Sequence, residues 1–266
     1  MITIIRWTLW QRRWSLMWWA IGMVGMIALE LGFYPSFRDQ AGQLNQVFDQ
    51  IPAAARSFIS DSSDFFSPTG YLASRVFALV LPILFTIFAI SLGSSLLGRD
   101  ERDGTIELLL SRPLSRSKLL AGRALTGLMM LTLLALLGLA AVISLDALVN
   151  LHVAPGPVAA AVAMSALLGL SFGTIALLIT CMGGPARVAS VGIATFLAFA
   201  GYILASLEST VHWLVWPARL LPFHYYHPSE LLHNAYHWQG PVFMGGVVVI
   251  GYLLAWAAFR RRDIGA

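Results

Sequence analysis

The sequence predicts an all-α integral membrane protein with six transmembrane helices, and three observations carry that prediction. First, the 266 residues are 58% hydrophobic and only 11% charged, with a mean hydropathy of +0.75. A chain of this make-up has lipid as its main solvent. Second, apolar runs at residues 14–34, 76–97, 119–149, 158–182, 188–207 and 242–259 all reach the roughly 17 residues that a helix needs at the least to cross a hydrocarbon core. Third, placing both termini in the cytoplasm puts 13 of the 17 Lys and Arg residues on that side, leaving Arg38, Arg56, Arg75 and Arg219 outside. That asymmetry is the positive-inside pattern. Residues 1–266 therefore read as a single transmembrane domain.

Taken in order, residues 1–15 carry Ile2, Ile5 and Leu9 at helical spacing, Arg6 and Arg13 on another face, and Trp7, Trp10 and Trp14 suited to the headgroup zone. This predicts an interfacial helix and not a cleavable signal peptide. The first span comes next, with Glu30 near its outer end. Residues 35–74 form an extracytoplasmic segment made acidic by Asp39, Asp49, Asp61 and Asp64. Leu44, Val47, Phe48 and Ile51, ahead of Pro52, predict a surface helix within it. The second span carries Pro82 near its outer end, where a membrane helix tolerates a kink. Ser115 is placed to cap the third span, which is long enough to tilt or protrude. Turns at Asn150–Pro157 and Gly183–Arg187 separate the third, fourth and fifth spans. Gly169 and Gly173 in the fourth allow close helix packing, within the subunit or at a dimer seam. Residues 208–240, divided into short pieces by Pro217, Pro222, Pro228 and Pro241, predict short re-entrant or interfacial extracytoplasmic helices that form an outer lid, and Arg260, Arg261 and Arg262 close the sixth span.

Several functions are excluded or weakened. With one lysine, Lys118, preceded by Ser117, no P-loop is possible, so the chain holds no ATPase site of its own. The net charge of +4 could suggest nucleic acid, but the basic residues border apolar runs and orient spans, so no nucleic-acid partner is expected. The lone Cys181 excludes an intrachain disulfide framework.

The most informative stretch is the loop at residues 98–118 between the second and third spans; Arg99 to Lys118 alone holds nine of the chain's thirty Lys, Arg, Asp and Glu residues. Gly104 can end the helix before it, and Pro113 stops a helix begun after Gly104. Between them Thr105 to Arg112 predicts a short amphipathic helix whose apolar stripe of Ile106, Leu109 and Leu110 lies against the membrane or a partner; the alternative is a solvated loop.

Glu101, the run Gly104-Thr105-Ile106-Glu107-Leu108-Leu109-Leu110, Pro113-Leu114-Ser115-Arg116 and Gly122-Arg123 together resemble the signature of ABC-2 type permeases, the membrane subunits of ATP-driven, type V exporter-like transporters. The motif comes after the second span in that family, as it does here. The resemblance implies a bacterial cytoplasmic membrane location, a separate ATP-binding cassette ATPase in two copies that holds ATP and Mg, and a second permease copy as homodimer or heterodimer. It also implies that the short cytoplasmic helix docks in a cleft of the ATPase, with Glu101, Gly104, Thr105, Ile106, Glu107, Leu109, Pro113, Ser115 and Arg116 as coupling residues.

The six histidines, His152, His212, His224, His227, His233 and His237, all fall on the extracytoplasmic side of this topology. The spacings His224/His227 and His233/His237 could place metal ligands on one helical face; the alternative is ordinary interfacial composition of a lid. Apolar spans containing Phe and Met suit a hydrophobic or amphipathic cargo such as a drug, an antibiotic, a lipid-like compound or a peptide. Two other functions compete with export: a secondary transporter, which would want paired ionisable residues at span centres, and a membrane subunit with a mechanical, assembly or signalling role.

Overall fold

The computed structural model describes residues 2–48, 67–102, 115–149 and 151–261. Among them all regular structure is helical. Six helices are long and apolar enough to cross a membrane: Ile5–Ser36, Pro68–Leu97, Arg116–Val149, Pro155–Met182, Val188–Leu207 and Gln239–Arg261, numbered here spans one to six.

Residues 1–15 do not form the separate interfacial helix that the Trp and Arg pattern predicts, because Ile2–Phe48 is one helix. No glycine or proline breaks the chain before Gly22, and the first proline, Pro35, is accommodated inside the helix. Thr8, Met23, Ile27, Leu31 and Tyr34 make its buried stripe, while Trp7, Trp10, Trp14 and Trp18 face outward. The start of the chain thus continues span one as part of the bundle. The surface helix expected around Leu44–Ile51 has its first residues in this same helix, and residues 49–66 lie outside the described residues.

Span two begins well before the apolar run alone suggests. Ser67 caps it, its Oγ accepting from Gly70 N at 3.0 Å, and Pro68 occupies the first turn, where its missing N–H is not needed. Leu72–Val80 is then wound as a π-helix, and Leu81–Arg102 as an α-helix. At the junction Leu81 N–H bonds to Val76 O, five residues back. The next bond of that ladder would run from residue 82 to Phe77 O, but residue 82 is proline. The Tyr226 hydroxyl takes that place, donating to Phe77 O at 2.6 Å.

Spans two and four are the centre of the bundle: 67% of each apolar window is buried, against 17–28% for the other four. Small residues bring them together. A Cβ at Gly169 would lie 2.7 Å from the backbone carbonyl carbon of Phe85, one at Gly173 would lie 2.7 Å from Ala89 O, and one at Gly93 would overlap Gly173 O. The Gly169/Gly173 pair therefore packs within the subunit. Outward-facing Leu, Ile, Phe and Val side chains on spans one, three, five and six are what a lipid solvent requires.

Between spans five and six the prolines cut the chain into His212–Leu214, Val215–Ala218, Pro222–Tyr225 and Pro228–Leu232. These short helices cap one end of the bundle. The opposite end holds the start of span one, the end of span two, the start of span three and the end of span six.

Candidate functional site at the basic end of the bundle

The stretch from Arg102 to Ser115 joins spans two and three at that opposite end. Gly104, Thr105, Ile106, Glu107, Leu109 and Pro113 lie outside the described residues, and Glu101 sits in the last turn of Leu81–Arg102. The described residues on either side are the end of span two and the start of span three. Ser115 caps span three: Lys118 N donates to Ser115 Oγ at 3.3 Å and Leu119 N to Ser115 O at 3.1 Å. Arg116 is the first helical residue.

Both flanks of the loop are tied to other spans. Before it, Arg12 of span one donates from Nη1 to Ser95 Oγ at 2.8 Å and from Nη2 to Ser95 O at 2.9 Å. Ser95 lies two turns from the end of its helix, so a guanidinium from the first span grips the rod that carries the loop. After it, Ser117 Oγ accepts from Trp256 Nε1 of span six at 3.0 Å, and the Arg260 guanidinium stands 4.6 Å above the Trp256 ring. Arg123, read from sequence as one of the charges that orient spans, is instead buried and donates from Nη1 to Thr8 Oγ1 at 3.2 Å. A buried cation is retained only where it is hydrogen-bonded, so this contact joins span three to span one.

An apolar plug lies inside these polar ties. Leu97, Leu120, Leu177, Cys181, Ala255 and Phe259 form one buried cluster from the ends of spans two, three, four and six. Displacing the loop's flanks therefore moves a packed unit rather than one free helix end.

The cap at the other end holds the histidines, and it does not gather them. His224 lies in the helix that ends at Tyr225, whereas His227 precedes the next helix, which Pro228 starts; Asn234, at φ 62°, ends that second helix after His233 and before His237. Neither pair therefore shares a helical face. His224 Nδ1 lies 2.6 Å from Glu208 Oε2, His237 Nε2 lies 3.3 Å from Glu230 Oε2, and His233 Nδ1 lies 2.7 Å from Ser229 O. No group of three His, Cys, Asp or Glu able to hold a metal occurs among the described residues. Glu208 closes span five, and Asp146, near the end of span three, accepts at Oδ1 from Val153 N at 3.3 Å.

A buried link between cap and bundle is Tyr226. Its buried hydroxyl donates to Phe77 O and lies 2.6 Å from Ser165 Oγ of span four. Burial pushes its pKa up, and the Ser165 hydroxyl opposes this only in part.

Sequence reasoning missed Thr8, Arg12, Ser95, Ser117 and Trp256 because their partners lie 83 to 139 residues away along the chain, and no local pattern encodes such pairs. Tyr226 left one readable signal: Pro82 within an apolar run implies a carbonyl in need of a donor.

A protein-family model described as "Protein of unknown function (DUF2705)" matches residues 56–265. No curated protein matches the chain.

Proposed function

The chain belongs to this family, whose description carries no activity, so its function must come from its own residues, and we propose that it is the transmembrane subunit of an ATP-driven exporter of the ABC-2 permease kind. The observation that carries the reading is the Glu101–Arg123 motif on the connection between spans two and three, rooted in a base tied to spans one and six. Both termini and this connection face the cytoplasm, the side where positive charge gathers. There a separate ATPase binds ATP and Mg, and two copies of each subunit complete the transporter.

In this mechanism the segment around Thr105–Leu109 seats in the ATPase, with Ile106 and Leu109 filling apolar gaps and Glu101 and Glu107 meeting basic or backbone donors. Closure of the ATPase dimer pushes on residues 103–114. Span three receives the push through the Ser115 cap, and span two through its final turns. The Arg12–Ser95, Arg123–Thr8 and Trp256–Ser117 contacts carry spans one and six along. Chemistry stays on the ATPase, and this chain converts its movement into altered access for a hydrophobic or amphipathic cargo.

Co-purification of the tagged chain with its candidate ATPase tests the reading, comparing wild type with Glu107→Arg and Leu109→Asp. Wild type should form an ATP-hydrolysing complex that both substitutions disrupt while the chain still inserts in the membrane. Unchanged assembly and hydrolysis in both variants would remove the docking role.

A further inference from the structure

An apolar groove in the bundle opens between spans three and six, over spans two and four. It has a volume of about 390 Å³; Gly93 and Gly173 lie on its floor, and Leu125, Gly127, Leu128 and Tyr252 on its walls. The floor is low because span two approaches span four closely, Gly173 having no room for a Cβ, and span three comes close to span two at Gly127, where a Cβ would sit 3.0 Å from Leu96 Cδ1. Leu125 and Leu128 are 40% and 43% exposed, so the groove opens sideways toward the surrounding lipid.

Charge distinguishes one end of this groove. About one helical turn beyond its last lining residues, Ala121 and Tyr252, Trp256 Nε1 donates to Ser117 Oγ, and each of these two residues has a basic neighbour. Lys118 is next to Ser117 and is exposed, three and seven residues before the wall residues Ala121 and Leu125, which puts it at the rim of their face. Arg260 lies over the Trp256 ring, four residues beyond it and eight beyond Tyr252. An apolar trough ending at two cations and an interfacial Trp complements a molecule with an alkyl chain and an anionic head.

We propose that this groove is a binding site for an anionic phospholipid of the surrounding bilayer, one acyl chain lying over Gly93, Gly127 and Gly173 and the phosphate held between Lys118 and Arg260. The lipid would fill the side opening where spans three and six part, next to the Ser117–Trp256 tie.

The test uses the full-length chain reconstituted in phosphatidylcholine nanodiscs containing a minor share of phosphatidylglycerol, with retained lipids counted by native mass spectrometry after release. Wild type should retain phosphatidylglycerol over phosphatidylcholine by on the order of tenfold, the preference expected of two cations near a membrane surface. Lys118→Gln with Arg260→Gln should bring that ratio near one. Ala124→Phe, which fills the trough, should lower retention of the bound lipid while leaving the fold intact by circular dichroism. Equal retention of both lipids by wild type, an unchanged preference in the double variant, or undiminished retention in a folded Ala124→Phe protein would each overturn the proposal. Thermal stabilisation by added phosphatidylglycerol gives a second readout of the same site. Neither measurement involves the ATPase, so the outcome stands apart from the exporter reading.

Discussion

Tyr226→Phe removes one oxygen from the bond that ties the cap to span two. The ring stays, so packing against the buried core is kept and only the hydroxyl is tested. In its absence Phe77 O loses the 2.6 Å donor that replaces the missing N–H of Pro82, and Ser165 Oγ loses its 2.6 Å neighbour. Ser165 still reaches Ala161 O at 2.8 Å, so its loss is small. Leaving a buried carbonyl unsatisfied costs about 1–3 kcal/mol, with hydrogen bonds inside membrane bundles toward the lower end of that range. At about 2–4 °C per kcal/mol for a chain of this size, the melting temperature in detergent should fall by roughly 3–6 °C. A second variant makes the reasoning specific. Pro82→Ala restores an N–H five residues after Phe77, so in that background Tyr226→Phe should cost markedly less. If Tyr226→Phe melts within about 1 °C of wild type, the bond contributes nothing of the size argued here. If the loss is the same with and without Pro82, the hydroxyl is not standing in for the missing backbone donor.

Further expectations can be checked alongside. Gly169→Ala puts a methyl 2.7 Å from the Phe85 backbone and should destabilise by about 1–3 kcal/mol, whereas Gly22→Ala, with nothing within 4 Å, should melt as wild type does. Trp256→Phe keeps an aromatic ring on span six but loses the donor to Ser117 Oγ; under the proposed exporter function, assembly with an ATPase should be unchanged while cargo export per ATP hydrolysed should drop. Tyr226 is held neutral by burial, so its folded pKa lies above the ordinary value of 10.0. The stability this contributes is fully present below pH 10 and is lost as pH rises through the folded value. Alkaline titration followed at the tyrosinate absorbance should therefore show Tyr226 ionising only with unfolding, which the difference between wild type and Tyr226→Phe isolates.

The amino-acid sequence by itself determined the class of this protein, because membrane insertion depends on local quantities. A run of about twenty apolar residues must become a helix in lipid wherever it occurs, so six such runs are legible one at a time. Proline placement was equally local, and it marked the broken cap between spans five and six. The Glu101–Arg123 motif too was readable only as a string of residues, and its central positions lie outside the described residues. Only the tertiary structure decided which spans form the core and which contacts hold the base of the loop. Apolar character cannot separate a lipid-facing Leu from a buried one, since both environments are hydrocarbon, so the central place of spans two and four comes from glycines that admit a neighbouring backbone. The Trp-rich start of the chain matched the composition of an interfacial helix. That it packs on the bundle shows only in the contacts of Thr8 and Arg12 with Arg123 and Ser95. Such pairing energies arise between residues about a hundred positions apart, and they exist only once the helices have packed.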